Sequence, residues 1–450
     1  MPTAYQDSLA FLYGRLNYER QAMPRTPGEF RLSRMIRLLD RLGAPQRGLK
    51  VVHVAGTKGK GSTAAMIAAA LTASGQRVGL FCSPHLHRLE ERFRVDGVEA
   101  AEHDLVRLTE QVRPVVEAID HASGRGPTFF EITTAMGLLH FASVQADVVV
   151  LEVGLGGRLD STNVVRPVVS VITNISFDHT RQLGHTLAAI SGEKAGIIKR
   201  GVPVVSGETG DEARAPIVRN AAQRRGTLHE LGRDFSYTYS PPEQPLNAPR
   251  AGQFSATTWR TEWGTLPLPM LGPHQAHNAA VALATLDVLA ERGFAVDRAA
   301  ARAAFSAMSF PARVEVVSTS PWIVIDGAHN VASAEALAET LRLCFPPAER
   351  TLVFGTTRDK DLKGQLRALL PGTTRVIATK YVQNPRAVPP AEVAEAVASL
   401  GGPPVVVTHH PAEALAAARA RTPDDGLICV TGSLFLAAET RDEILMTAPA

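Results

Sequence analysis

Residues 51–63 read VVHVAGTKGKGST, and this stretch constrains the fold more than any other. The β-branched residues Val51, Val52 and Val54 mark a buried strand that stops at Ala55-Gly56. Gly56, Gly59 and Gly61 interleave with Lys58 and Lys60. Ser62 and Thr63 then open the apolar segment AAMIAAALTASG, helical in composition, with Gly75 as its stop. Strand, glycine loop, lysine and helix N-terminus, in that order, make a cradle for a polyphosphate. Glycines let backbone N–H groups come close, a lysine supplies charge, and the helix dipole adds to it. The strict pattern GxxxxGK[ST] is broken twice: Val54 holds its first glycine position, and Gly61 follows the lysine.

A chain of 450 residues exceeds one ordinary core, so two or three domains are expected. Its 45% hydrophobic and 20% charged content is that of a globular protein. A net charge of +3 is nearly neutral for this size and argues against a dedicated nucleic-acid binder, while leaving room for anionic substrates. Cys82, Cys344 and Cys429 have no metal-ligand spacing and suit a reducing cytoplasm. No signal peptide or membrane span is expected.

From Lys50 to Gly207, short β-rich runs alternate with helical stretches, at 51–55, 78–82, 147–153, 168–175 and 202–206. Strands separated by helices imply parallel βαβ units. SPPEQPLNAPRAG then reads as a proline-rich loop, and FSATTWRT and EWGTLPLPML as antiparallel strands around a turn. A second alternating series has strands expected at 323–325, 351–355, 375–379, 405–408 and 427–431. The boundary is placed near 310–313, giving domains 1–310 and 311–450.

Polar clusters fall at strand ends, where open α/β sheets bind ligands. Ser83-Pro84-His85 follows VGLFC, Glu152 follows ADVVVL, and Asp178-His179-Thr180 follows VVSVITNIS. Hydroxyl, carboxylate and imidazole at three neighbouring strand ends can converge on one divalent ion. Mg²⁺ prefers oxygen ligands and phosphate oxygens, which favours Glu152 and Ser83; His179 is a less usual ligand. Each has a plainer reading, as a capping serine, a hydrogen-bonded core histidine or an aspartate in a turn. Lys194 in SGEKAGIIKRG would ordinarily be a solvated helix residue. Asp326 of DGAHN ends the first strand of the second series, where it could cap the following helix. His329 would face the same crevice, and Arg313 stands where a phosphate-clamping arginine could reach.

Taken together, VAGTKGKGST, SPHLHRLEERFRVDG, TFFEITTAMGLLHF, LEVGLGGRLDSTN, FDHT, EKAGIIK, GPHQAHNAAVALA, PARVEVV, DGAHN and the closing TGS resemble, in order, the folylpolyglutamate synthases within the Mur ligase superfamily, often bifunctional with dihydrofolate synthase. The matches span roughly residues 30–435. LEVGLGGRLD with DHT and EKAGI distinguishes this branch from the peptidoglycan Mur ligases.

The resemblance implies an α/β protein: a P-loop parallel-sheet ATPase domain followed by a smaller Rossmann-like domain. Gly56, Thr57, Gly59, Lys60, Gly61 and Ser62 would hold the ATP phosphates. Asn278 would contact adenine, Arg313 the phosphates and Asp326 the ribose side. Ser83, Glu152 and His179 would ligand Mg²⁺, as one or two ions. Lys194 would be a carbamylated lysine, turned from cation to anion. His329 would sit near the reaction centre, and with Lys60, Lys194 and Asp326 makes the implied catalytic set. Thr128, Leu159, Asp160 and Ser161 fall where the family binds the pterin. The implied reaction is ATP-dependent addition of L-glutamate to folate or dihydropteroate through an acyl phosphate, by a cytoplasmic monomer. Domain closure would keep water from that intermediate. Two other readings stand beside it: a Mur-type ligase for another acid, and a nucleotide-binding regulatory module without ligase chemistry. Lys58 departs from the family's VAGTNGKGS loop. Because Lys60 is already present, Lys58 is read as a solvated spectator or weak steering charge, whose change to Asn should alter the ATP KM by less than about threefold.

Overall fold

The computed structural model describes residues 3–19, 21, 31–124, 126–243, 251–345 and 349–447. The chain divides into two compact units. One holds Met1–Tyr237, Ser255–Thr265 and His277–Phe305; the other holds Thr238–Phe254, Leu266–Ala276 and Ser306–Ala450. The sequence reading drew one boundary near 310; the structure also groups the two short segments 238–254 and 266–276 with the second unit. Tyr239 shows why. Its hydroxyl accepts the Gly272 N–H at 3.0 Å and lies 3.7 Å from Cys344 Sγ.

The first unit is built on an eight-stranded sheet: β1 (Val51–Ala55), β2 (Val78–Phe81), β3 (Phe93–Val95), β4 (Val98–Glu99), β5 (Val148–Glu152), β6 (Val169–Ile172), β7 (Val204–Ser206) and β8 (Leu228–Glu230). Their order is β4-β3-β2-β5-β1-β6-β7-β8; β3 pairs antiparallel with both β2 and β4, and the other pairings are parallel. β1, β2, β5, β6 and β7 are buried along their whole length, so they read as Val-rich apolar runs rather than alternating patterns. β3, β4 and β8 are two or three residues long and carry no such run, which is why the sequence reading passed over them. Helix Lys60–Ala73 packs on β1, β2 and β5. Phe81, Phe93, Phe129 and Phe141 fill one core cluster with no exposed surface. Each such ring removes roughly 150–250 Å² from water, the largest single contributions to this core.

β9 (Phe235–Ser240), β10 (Gly252–Thr258) and β11 (Glu262–Leu268) form a three-stranded sheet in the order β11-β10-β9. Asp287 anchors its β10–β11 turn, accepting from Thr258 Oγ1, Thr261 Oγ1 and Trp263 Nε1. Residues 244–250 of the expected proline-rich loop lie outside the described residues. The second unit has a six-stranded sheet of β12 (Glu315–Thr319), β13 (Trp322–Ile325), β14 (Arg350–Phe354), β15 (Arg375–Ala378), β16 (Val405–Val407) and β17 (Leu427–Thr431). The order is β12-β13-β17-β14-β15-β16; only β12 is antiparallel. β12 escaped the sequence reading because it has no fully buried face. Among the described residues no helix is long and apolar enough to cross a membrane.

One core residue makes stability depend on pH. His53 sits fully buried in β1, its Nε2 2.8 Å from Thr162 Oγ1, which donates to Asp160 Oδ1 at 2.5 Å. Its Nδ1 has no hydrogen-bond partner. Burial, aided by Lys199, pushes the imidazole down to about 3. The unfolded chain, with a histidine near 6.5, therefore takes up the proton first on acidification. Stability from this group is whole above about pH 6.5 and is lost between there and about 3, at roughly 1.4 kcal/mol per pH unit. Thermal melts should show His53→Leu falling less steeply than wild type between pH 6.5 and 4.5. Parallel profiles would mean that His53 does not stay neutral in the fold.

Candidate active site

Strand order, not sequence order, assembles the site. β5 lies between β1 and β2, and β6 flanks β1 on its other side. The carboxyl ends of β2, β5, β1 and β6 thus stand side by side. They carry Ser83, Glu152, the glycine loop and Asp178-His179.

The glycine loop runs from β1 into helix Lys60–Ala73, which Gly59 begins in a left-handed conformation (φ 76°) with no side-chain cap. Its first-turn N–H groups and the dipole therefore suit an anion. Only glycine fits at the turn: a Cβ on Gly59 would lie 2.0 Å from Asn278 Oδ1, and one on Gly56 would lie 1.8 Å from Thr173 Oγ1. Asn278, 2% exposed on helix Pro273–Glu291, thus sits against the loop. The loop is stapled to the end of β6. Thr57 N–H donates to Asn174 O at 2.8 Å, Thr57 Oγ1 donates to Ser176 O at 3.2 Å, and Lys58 N–H donates to Asn174 Oδ1 at 3.1 Å. Asn174 and Thr173 were not singled out from sequence; only the β1–β6 pairing reveals their part.

Ser83 and Glu152 are brought together. The Ser83 N–H donates to Glu152 Oε2 at 3.1 Å, and the carboxylate side chain is buried. His179 opens the short helix Thr180–Leu183 in a left-handed conformation (φ 49°), its N–H donating to Asp178 Oδ1 at 2.9 Å. Among the described residues, no three His, Cys, Asp or Glu side chains gather into a metal cage. The donor set nevertheless fits Mg²⁺, which keeps several waters and takes one or two carboxylates plus substrate phosphates.

Lys194 is not a solvated helix residue. It lies on helix Leu187–Ala195, 4% exposed, with Nζ donating to the Gly56 carbonyl at 2.8 Å. Burial holds its amine well below the usual lysine range; Lys60 and Lys58 push it further down, and Asp178 and Asp160 oppose them. Burial thus disfavours the ammonium form of a side chain that rests on the glycine loop.

Of the residues expected at the pterin, two are turned to their own backbone. Thr128 caps helix Phe129–Ser143 in a reciprocal box with Glu131, which Arg34 holds at 2.7 Å. Asp160 spends Oδ1 on Thr162 N–H and Oγ1 and Oδ2 on Leu155 N–H. Burial pushes its carboxyl up. Leu159 and Ser161 are half-buried and keep surface to offer.

In the second unit, Asp326 follows β13. Its Oδ2 accepts Val314 N–H and its Oδ1 accepts Ala328 N–H, both at 2.8 Å. It does not cap the next helix; Asn330 does, through Ser333 N–H. Burial pushes the Asp326 carboxyl up, against Arg313. Arg313 lies between two left-handed non-glycine residues, Ala312 (φ 53°) and Val314 (φ 51°). For a β-branched residue this costs on the order of 1–3 kcal/mol. Two contacts hold the turn: Asp326 on Val314, and Glu315 on the Ala312 N–H at 2.9 Å, with Arg441 behind Glu315. Arg313 stacks over Phe310, 5.7 Å from its centroid. His329 Nδ1 lies 2.9 Å from the Gly327 carbonyl, so that nitrogen carries the proton.

Residues 54–286 match the Mur ligase middle domain and residues 312–434 the Mur ligase glutamate ligase domain. The chain is 38% identical to a Bacillus subtilis dihydrofolate synthase/folylpolyglutamate synthase over 82% of this chain and 83% of that one. A Mycobacterium tuberculosis folylpolyglutamate synthase complexed with ADP superposes with a TM-score of 0.89 at 32% identity, covering 98% of both chains. An Escherichia coli FolC in complex with DHPP and ADP gives 0.83 at 30% identity, over 99% of both. The domain matches, the identity across most of both chains and the shared fold agree with the strand-end residues: this chain belongs to the folylpolyglutamate and dihydrofolate synthases of the Mur ligase family.

Proposed function

We propose that this protein is an ATP-dependent ligase that joins L-glutamate to folate, and also to dihydropteroate, acting as a cytoplasmic monomer. The carrying observation is the buried Lys194 Nζ, hydrogen-bonded to the Gly56 carbonyl of a glycine loop whose helix has no side-chain cap, beside the Ser83–Glu152 pair. Gly56, Thr57, Gly59, Lys60, Gly61 and Ser62 bind the ATP phosphates through backbone N–H groups and the Lys60 ammonium. Asn278 takes the adenine, Arg313 the phosphates and Asp326 the ribose side. Leu159 and Ser161 face the pterin, with Thr128 and Asp160 shaping their loops.

Ser83, Glu152 and His179 would hold Mg²⁺, which supplies Lewis-acid charge neutralisation to the transferred phosphoryl group. Lys60 and Arg313 offset charge on that group as it passes to the acid's carboxylate. Transfer converts a poor leaving group into phosphate. The glutamate amine then attacks the acyl carbon, and the tetrahedral adduct expels phosphate. His329 lies near that centre. Lys194 as a carbamate would add an anion beside the loop, poised for a second Mg²⁺.

Phosphate release should require ATP, an acid and glutamate together, with dihydropteroate and tetrahydrofolate assayed in parallel. Release with another acid but neither pterin substrate would mark a different Mur-type ligase. Nucleotide binding without release would mark a regulatory module.

A further inference from the structure

Lys58 has a partner that its place in the glycine loop does not suggest. Its Nζ lies 2.8 Å from Asp178 Oδ2, with the two side chains 21% and 11% exposed. The other Asp178 oxygen accepts the His179 N–H at 2.9 Å and lies 3.8 Å from His179 Nε2. The loop end of the bridge is fixed as well. Lys58 N–H donates to Asn174 Oδ1, and its carbonyl accepts from Thr173 Oγ1 at 2.5 Å and Asn174 Nδ2 at 3.2 Å. The spectator reading of Lys58 therefore fails: a lysine so held is not a solvated surface charge.

We propose that Lys58 is a positioning residue and a fixed internal cation, which neutralises Asp178 and so sets the charge that phosphate and divalent metal each meet at this loop. The inference rests on reading the loop as the ATP phosphate site. With the pair intact, residues 58 and 178 together carry no net charge. Without the ammonium, a partly buried carboxylate faces the loop; it repels phosphate and attracts a divalent cation. Without the carboxylate charge, a bare ammonium does the reverse. In a low-dielectric site such charges act over several ångströms. A bridge that merely braced the loop would behave differently, since either break would weaken both ligands alike.

Two probes separate these cases: ADP in EDTA by calorimetry, and Mn²⁺ alone by electron paramagnetic resonance. Lys58→Asn should weaken ADP by about threefold to tenfold and tighten Mn²⁺; Asp178→Asn should tighten ADP and weaken Mn²⁺ by similar factors. The double variant should return near wild type on both. Shifts of the same sign in the two single variants, a double variant that does not return, or an unmoved Lys58→Asn would each overturn the proposal. Wild type that binds ADP with Mg²⁺ but not measurably in EDTA would overturn it too. Wild type that binds no ADP even with Mg²⁺ would remove the nucleotide reading itself, and this inference with it.

Discussion

Glu152→Gln should lower ligase turnover by about two to three orders of magnitude, as loss of one preorganised charge contact in an active site commonly does. The fold should barely notice. The Ser83 N–H now donates to a carboxylate oxygen at 3.1 Å, and the Gln amide oxygen can accept the same bond in the same space. Only the charge goes, and with it the anionic ligand that suits Mg²⁺. The thermal midpoint and circular dichroism should match wild type, while the Mg²⁺ concentration for half-maximal turnover rises. Near-normal turnover of Glu152→Gln at limiting Mg²⁺ would sink the assignment. A lower midpoint with proportionate loss of activity would make Glu152 a structural carboxylate.

That test depends on an adjacency no stretch of sequence displays. Ser83 and Glu152 are 69 residues apart, and their strands, β2 and β5, are not consecutive. Each was visible as a polar residue ending an apolar run, because a strand buried on both faces leaves that signature. Their contact was not, because sheet order is set by the packing of whole βαβ units. The same limit explains Lys58. Its composition context, a glycine loop with a second lysine, pointed to solvent; its partner waits at the end of β6, 120 residues on. Asp326 shows a different failure. An Asp just before a helix is a reasonable cap, but four residues later Asn330 takes that place, and Asp326 turns back to the strained Val314. Left-handed valine has no sequence signal, since nothing local favours it. His53 was legible only as one residue of a buried strand. Its bond to Thr162 comes from tertiary packing.

Lys194→Ala should leave the protein nearly inactive, and the reason lies in the charges around it. The unmodified amine shares its surroundings with the cations Lys60 and Lys58 and the anions Asp178 and Asp160. Burial comes first in disfavouring its ammonium form. A neutral amine has the lone pair that attacks CO₂; the nitrogen gives up a proton to solvent, and a carbamate with one negative charge results. A site that disfavours a buried ammonium beside two lysines favours an anion there, for the same Coulombic reason. The carbamate would then place oxygen donors by the phosphate loop, where metal and phosphate meet. Removing the side chain removes both the anion and the contact to Gly56 O, so a loss of about two to three orders of magnitude in turnover is expected. A short carboxylic acid entering the space left by the side chain should restore part of the activity of Lys194→Ala and none of that of Glu152→Gln. Wild type in buffer stripped of CO₂ should lose turnover and regain it with bicarbonate, and ¹³C-bicarbonate should yield a carbamate resonance that the variant lacks. An unmodified Lys194 in a high-resolution density map of active enzyme would remove the carbamate from this mechanism, and would leave a buried lysine side chain as the group that the glycine loop has to accommodate.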